Sequence, residues 1–270
     1  MNLKEKSKEV RIKTLQLHQR AKEIRVASSL SPVEIFVSLF YGGIFSFYPK
    51  DPLNDKRDRL IISKGHGSIC LYPILADCGY FSQDELLNIS KPGSFLGSIP
   101  DPVIPGYETI NGSLGHGLGV GSGMAYALKI SDKCQKVIVV VGNGELQEGS
   151  NWEAIMFAAN HNLDNLILII DSNKKQMLDF SINILDIEPF KNKFEAFGWE
   201  CIEIGDGHNC DLIIDGLQEA FSNKNHKPKV IIANTIKGKG VPSLEQSPLA
   251  HVLSLSDLEI DEAIKGIENE

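Results

Sequence analysis

Four runs along the chain are short, rich in Ile and Val, and do not alternate: Leu60–Ser63, Val137–Gly142, Leu166–Asp171 and Val230–Thr235. Runs of this kind predict strands buried on both faces, as in parallel sheets. A weaker strand is read over Glu200–Ile204. Helical stretches fall between them, at about 67–79, 117–130, 151–162, 190–197 and 211–222. Pro32 opens a strongly apolar helix, VEIFVSLFYGG, proline being suited to a first turn. The chain alone is expected to self-associate through apolar faces such as Ile35–Tyr41. The last segment, Ser256 to about Ile267, begins Ser-x-x-Glu, the pattern of a capping box. Near the amino end, Val10, Ile12, Leu15 and Leu17 are set among many charges, which predicts a mostly exposed helix over about 3–24.

Strand and helix alternate, so the fold class is α/β: a parallel sheet covered by helices on both faces. No internal repeat and no linker rich in Gly, Ser or Pro interrupts the chain, so residues 1–270 are read as a single domain. The stretch from about Pro92 to Gly112 holds four prolines and four glycines. A long loop of that kind is either functional or a surface excursion.

Composition narrows the function classes. Apolar residues make up 42% and charged residues 23%, a globular balance that excludes disorder and low-complexity architecture. The net charge of −8 argues against broad nucleic-acid binding, which needs a basic face, while leaving room for one local anion pocket. Five cysteines, without a CxxC pair or a zinc-like Cys/His spacing, fit reduced thiols in a cytoplasmic protein. The first 25 residues are too charged for a signal peptide, and apolar runs such as Val137 to Val141 are too short to span a bilayer, so no membrane partner is expected.

In such sheets ligands gather at the carboxyl ends of strands. Four segments there carry chemistry. Ser63-Lys64-Gly65-His66-Gly67-Ser68 follows the first strand, and glycine on each side of His66 permits close approach of backbone and ligand. Gly112-Ser113-Leu114-Gly115-His116-Gly117 enters a helix in which glycine recurs at every second position to 123, fit either for an anion at the helix start or for close packing. It is not a dinucleotide fingerprint, and Gly144-x-x-x-x-Gly149, followed by Ser150 and Asn151, is not a Walker A loop. Gly142-Asn143-Gly144 and Asp171-Ser172-Asn173 end neighbouring strands, where two side-chain oxygens can jointly hold a hard cation such as Mg2+.

Together these segments resemble the amino-terminal, diphosphate-binding part of transketolase. The family pattern Gly-Asp-Gly, then about thirty residues, then Asn matches Gly142 to Asn173 with one exception. SKGHGS at 63–68, GSLGHG at 112–117, NTIKGKG at 234–240 and a final histidine at 251 fall in family order. The resemblance covers nearly the whole chain, which stops where a transketolase would begin its pyrimidine-binding domain.

The resemblance implies a thiamine-diphosphate-binding fold and the first subunit of a split enzyme. Such an enzyme moves a two-carbon ketol unit from a ketose to an aldose, on a sugar or sugar phosphate. Its partner would be the carboxy-terminal subunit carrying the pyrimidine domain, with two copies of each chain. By similarity Asn143 and Asn173, with the Lys175 carbonyl, would hold Mg2+. Ser28, Gly112, Ser113, Leu114, Gly144, Asn173 and Lys237 would line the cofactor. His66, His116 and His251 would serve the diphosphate or the reacting centre. Glu148 would stand near the subunit interface, facing the partner's activating glutamate.

Three positions depart from the family. Asn143 replaces the Asp of Gly-Asp-Gly. Arg25 stands where the family's His-x-Gly-Gly-Ser-Leu-Ser segment has its histidine, and Ile99 replaces the histidine of a Gly-His-Pro segment. Both lost histidines face the donor ketose in the family, so a changed donor is expected, with Arg25 suited to an anionic group. The departures also leave open a catalytically silent chain that stabilises or regulates its partner. Another alternative is one component of a 2-oxoacid dehydrogenase or decarboxylase, although SKGHGS with GSLGHG fits transketolase better.

Overall fold

The computed structural model describes residues 1–110 and 112–269, so Asn111 of the predicted loop and the terminal Glu270 lie outside it. Five strands, β1 (Arg59–Ile62), β2 (Val137–Gly142), β3 (Leu166–Ser172), β4 (Glu200–Ile204) and β5 (Lys229–Asn234), form one sheet in the order β1-β2-β3-β5-β4. Every pairing is parallel, with Ile62 beside Val140, Gly142 beside Asp171, and Ser172 beside Asn234. This register brings the carboxyl ends of β1, β2, β3 and β5 to one edge.

The helices are α1 (Leu3–Arg20), α2 (Val26–Leu30), α3 (Val33–Tyr41), α4 (Leu71–Cys78), α5 (Gly117–Ile130), α6 (Gly149–Asn160), α7 (Ser181–Ile184), α8 (Phe190–Ala196), α9 (Cys210–Ser222), α10 (Pro242–Gln246) and α11 (Asp257–Glu268). Alternate strand residues feed two cores. Leu60, Ile62, Ile138, Val140, Ile167 and Ile169 pack with α1, α3, α4 and α9, while Val137, Val139, Leu166 and Leu168 pack with α5, α6 and α8. That division across the pleat is why the strand runs are apolar without alternation. Ser256 caps α11 through the reciprocal Ser256–Glu259 bonds that its sequence predicts.

Glycines let α5 lie close to the sheet. A Cβ on Gly117 would come within 2.4 Å of Ser63 Cβ, and one on Gly121 within 2.4 Å of Val139 Cγ2. The alternation of glycine from 115 to 123 therefore serves packing on one face of the helix, whereas Gly119 and Gly123 meet nothing.

Two expectations about exposure are corrected. α1 ends at Arg20 and is not mostly exposed: Val10, Arg11, Thr14, Leu15, Leu17 and His18 are buried. Its charges misled because the most buried one is paired. Arg11 donates to the carbonyls of Leu30 (2.8 Å) and Lys239 (2.9 Å) and pairs with Glu34. Glu34 also accepts from His208 Nδ1 at 2.8 Å. The Ile35–Tyr41 face is likewise not free for another chain, since Ile35, Phe36, Val37, Leu39 and Phe40 lie in the core beneath α1, α4 and α9. The Pro92–Gly112 loop is no excursion either. Leu96, Ile104 and Tyr107 are buried, Tyr72 Oη donates to the Gly97 carbonyl at 2.8 Å, and Tyr107 Oη to the Ser68 carbonyl at 3.1 Å.

Candidate active site

At the shared strand edge lies a cavity of about 220 Å³. Its walls come from each chemistry-bearing segment: Ser28, Lys64 and His66, Gly112 and Leu114, Asn143 and Gly144, Asn173 and Lys175, Lys237 and His251. The parallel register stacks the strand ends that carry Lys64, Asn143, Asn173 and Lys237, while Ser28 from α2, the loop ahead of α5 and the segment after α10 close over them.

The wall is cationic above a buried acid. Asp171 at the end of β3 is fully buried and accepts from Lys64 Nζ, Thr235 Oγ1, Ser31 Oγ (2.5 Å) and Asn173 Nδ2 (3.1 Å). Burial opposes its charge, but Lys64 and the hydroxyl donors hold its carboxyl below the ordinary range. Lys237 is also buried, and desolvation together with the Lys64 charge brings its ammonium down to about 7. Burial and the charges of Lys237, Arg25 and Lys64 lower His251 to about 4. Burial first, and then neighbouring positive charge, pushes His66 well below 6.5. Two neutral histidines and a set of cations thus border a space where Asp171 is paired with Lys64 and burial disfavours the charge of the other acid, Glu145, which is an environment for a polyanion.

Local bonds fix His251. Lys237 Nζ lies 3.1 Å and Ser28 Oγ 3.3 Å from its Nδ1. Nδ1 accepts in the neutral ring, leaving the proton on Nε2. His66 meets His251 with ring centroids 4.9 Å apart.

The floor presents oxygen donors. Asn143 is buried, its Nδ2 donates to Ser181 Oγ at 2.6 Å, and its Oδ1 is buried with no hydrogen-bond partner. An orphaned buried carbonyl oxygen is costly unless something outside the chain takes it. Asn173 Oδ1 accepts from the Lys175 N–H at 3.2 Å and keeps a second lone pair. Among the described residues no three His, Cys, Asp or Glu side chains cluster as a metal cage. Amide oxygens with open positions suit a hard cation that shares its shell with phosphates.

The chain matches, over residues 4–268, the family described as transketolase, thiamine diphosphate binding domain. It belongs to the transketolase family. It is 39% identical over 270 residues to one chain of the apulose-4-phosphate transketolase of Actinobacillus succinogenes, covering 99% of this chain and 96% of that one. It is 37% identical over 246 residues to a 6-deoxy-6-sulfo-D-fructose transketolase subunit of Clostridium sp., covering 91% and 88%. Its fold is similar to the transketolase of Campylobacter jejuni, with a TM-score of 0.92 and 32% identity, over 99% of this chain but 43% of that one. The expected α/β class, with its parallel sheet, is the fold of this family.

Of the residues singled out from the sequence, the cavity collects Ser28, His66, Gly112, Leu114, Asn143, Gly144, Asn173, Lys175, Lys237 and His251. It does not collect Ser113, His116 or Glu148. His116 is an exposed residue before α5 whose Nδ1 lies 3.1 Å from the Leu114 carbonyl, and Glu148 is exposed ahead of α6. Arg25 and Ile99 do not line it either, yet the Arg25 charge acts on both His66 and His251, and Ile99 Cγ2 lies 3.6 Å from where a Cβ on Gly112 would stand.

Sequence reading missed Glu145 and Gln176. Glu145 is buried at the cavity wall, accepts from Ser63 Oγ and from the Gly115 N–H at 2.9 Å, and is pushed up by burial. It ties the first and second motifs together. The acid inside Gly-Asn-Gly-Glu was its only signal. Gln176 lines the cavity with a buried, unpartnered Nε2, and no spacing rule marks it.

Proposed function

We propose that this chain is the diphosphate-binding subunit of a two-chain transketolase that uses thiamine diphosphate and Mg2+ to move a two-carbon ketol unit from a ketose to an aldose. The observation that carries this reading is the pairing, in one cavity, of cationic walls with the orphaned Asn143 Oδ1. A diphosphate matches the former and a hard cation the latter. Asn143, Asn173 and the Lys175 carbonyl would hold the cation. Lys64 and Lys237 would face the diphosphate, with Ser28, Gly112, Leu114 and Gly144 lining the cofactor. When bound, the cofactor supplies a carbanion at its thiazolium ring and an electron sink for the bond-breaking step.

The chain's own contribution is position and proton transfer. His251, held by Lys237 and Ser28, presents Nε2–H, and His66 stands beside it. Neutral rings can move protons near neutral pH once an anion raises their pKa values. Both named subunit relatives are matched over most of their length, whereas a full-length transketolase is matched only in part, which supports a separate partner carrying the pyrimidine domain and its activating glutamate. We place two copies of each chain in the assembly, with Glu148 and His116 facing the partner. Apulose 4-phosphate and 6-deoxy-6-sulfofructose in the relatives' names support an anionic sugar as donor, read by Arg25. The five free thiols suit the cytoplasm. Among the described residues no helix is long and apolar enough to cross a membrane.

The test is ketol transfer by the purified chain with and without a co-expressed pyrimidine-domain partner. Turnover is expected only from the mixture, and strong activity from this chain alone would refute the half-enzyme reading.

A further inference from the structure

Lys175 borders the cavity, but its ammonium is spent elsewhere. Nζ donates to the carbonyls of Leu244 (3.2 Å), Glu245 (2.5 Å) and Ser247 (2.9 Å). An ammonium has three donors, so these bonds leave none for a ligand. The three carbonyls belong to the end of α10, where a helix has no partners of its own to offer. The Phe180 ring, 5.4 Å from Nζ, packs against the same group, and Phe180 pairs with Lys175 along the backbone. Lys175 is only 6% exposed. A buried lysine with every donor on a carbonyl is a fastener.

What it fastens matters. On one side, its N–H binds Asn173 Oδ1, inside the loop that follows β3. On the other side, the chain runs from Ser247 directly to His251, whose ring is placed over the cavity by Ser28 and Lys237. The segment 247–252 has no strand or long helix to hold it. We propose that Lys175 is a positioning residue: its ammonium pins the end of α10 to the Asn173 loop and thereby sets where His251 stands over the cavity. The inference rests on the proposed use of this cavity for a diphosphate.

The experiment pairs the full chain with its pyrimidine-domain partner. It compares wild type, Lys175→Met, His251→Ala and the double variant. Hydrogen exchange is read over 241–252 and, as a control, over α5 and α6. Magnesium thiamine diphosphate affinity is read by calorimetry. Lys175→Met is expected to speed exchange over 241–252 by about tenfold while the control helices stay unchanged. It is also expected to weaken the cofactor by about tenfold, with no further loss on adding it to His251→Ala. Unchanged exchange over 241–252 overturns the fastener. A Lys175→Met loss that persists in full in the His251→Ala background overturns its action through His251. Lys175→Gln, which keeps two donors, is read in the same way should the Met variant not fold. If wild type itself binds no magnesium thiamine diphosphate, the cofactor reading fails, and the exchange comparison still decides the fastener.

Discussion

His66 and His251 meet at an interplanar angle of 61°, ring centroids 4.9 Å apart, one from the turn after β1 and the other from near the carboxyl end. Neither ring carries charge near neutral pH, because burial and the neighbouring Lys64, Lys237 and Arg25 oppose protonation. An unfolded chain binds protons on these rings below about 6.5. The folded chain declines them at His251 until about 4. The unfolded state therefore holds more protons in that window, and stability rises with pH through it. The ligand-free protein is expected to lose stability progressively from about pH 6.5 towards 4. Denaturant midpoints at several pH values check this, and His251→Gln should flatten the slope. An equally steep slope in that variant would show that His251 does not titrate as its surroundings require.

Lys237 responds in the opposite sense to an anion. Its pKa of about 7 in the free protein comes from burial and from Lys64. A diphosphate beside it favours the ammonium and raises that value. At about pH 8 binding should therefore take up a proton. Calorimetry in two buffers of different ionisation enthalpy measures the uptake directly. Lys237→Met should abolish it, and affinity in wild type should fall as pH rises above about 7. Binding without proton uptake would place the anion away from Lys237.

The orphaned Oδ1 of Asn143 predicts a metal affinity set by an uncharged ligand. Replacing it with a carboxylate adds a charge–charge attraction of several kcal/mol at short range in an effective dielectric of about 20, offset in part by desolvation. Asn143→Asp should tighten Mg2+ and thiamine diphosphate together by about 10- to 100-fold, or roughly 1–3 kcal/mol. Ser181→Ala removes the bond that orients the amide and should weaken Mg2+ by about 1 kcal/mol. Titration of the three proteins with Mg2+ decides both. Affinity unchanged or lower in Asn143→Asp would exclude Asn143 as a ligand.

Donor choice is expected to follow Arg25 and Ile99. The Arg25 guanidinium is exposed without a hydrogen-bond or ion-pair partner among the described residues, and Ile99 sits beside Gly112 at 49% exposure. Restoring histidine at both positions should raise kcat/KM on ordinary ketose phosphates and lower it on the native donor. Arg25→Met alone should raise KM for an anionic donor with little change in kcat, because the charge acts mainly in binding. Identical kinetics across all donors tested would remove both residues from the donor site.

Much of this protein was legible in the residues alone. The apolar runs specify β1, β2, β3 and β5 because both faces of a parallel sheet are covered, and the edge strand β4 gives a weaker signal because it is only half buried. The sites at strand ends follow, since a parallel register brings the ends to one edge. Family motifs pointed to the cavity residues, and those at Lys64, Asn143, Asn173 and Lys237 do so because each sits a few residues past the end of its strand. The tertiary structure alone decided which polar groups are paired. Arg11, Glu34 and His208 look like solvated charges until distant segments supply their partners, and so α1 reads as exposed when it is buried. His116 and Glu148 occupy motif positions and are exposed on this chain, an exposure that residue spacing alone does not fix. The fastening of α10 by Lys175 spans residues that no spacing rule connects. A hydrogen bond between segments far apart in the chain depends on how the intervening elements pack, and only the folded chain settles that.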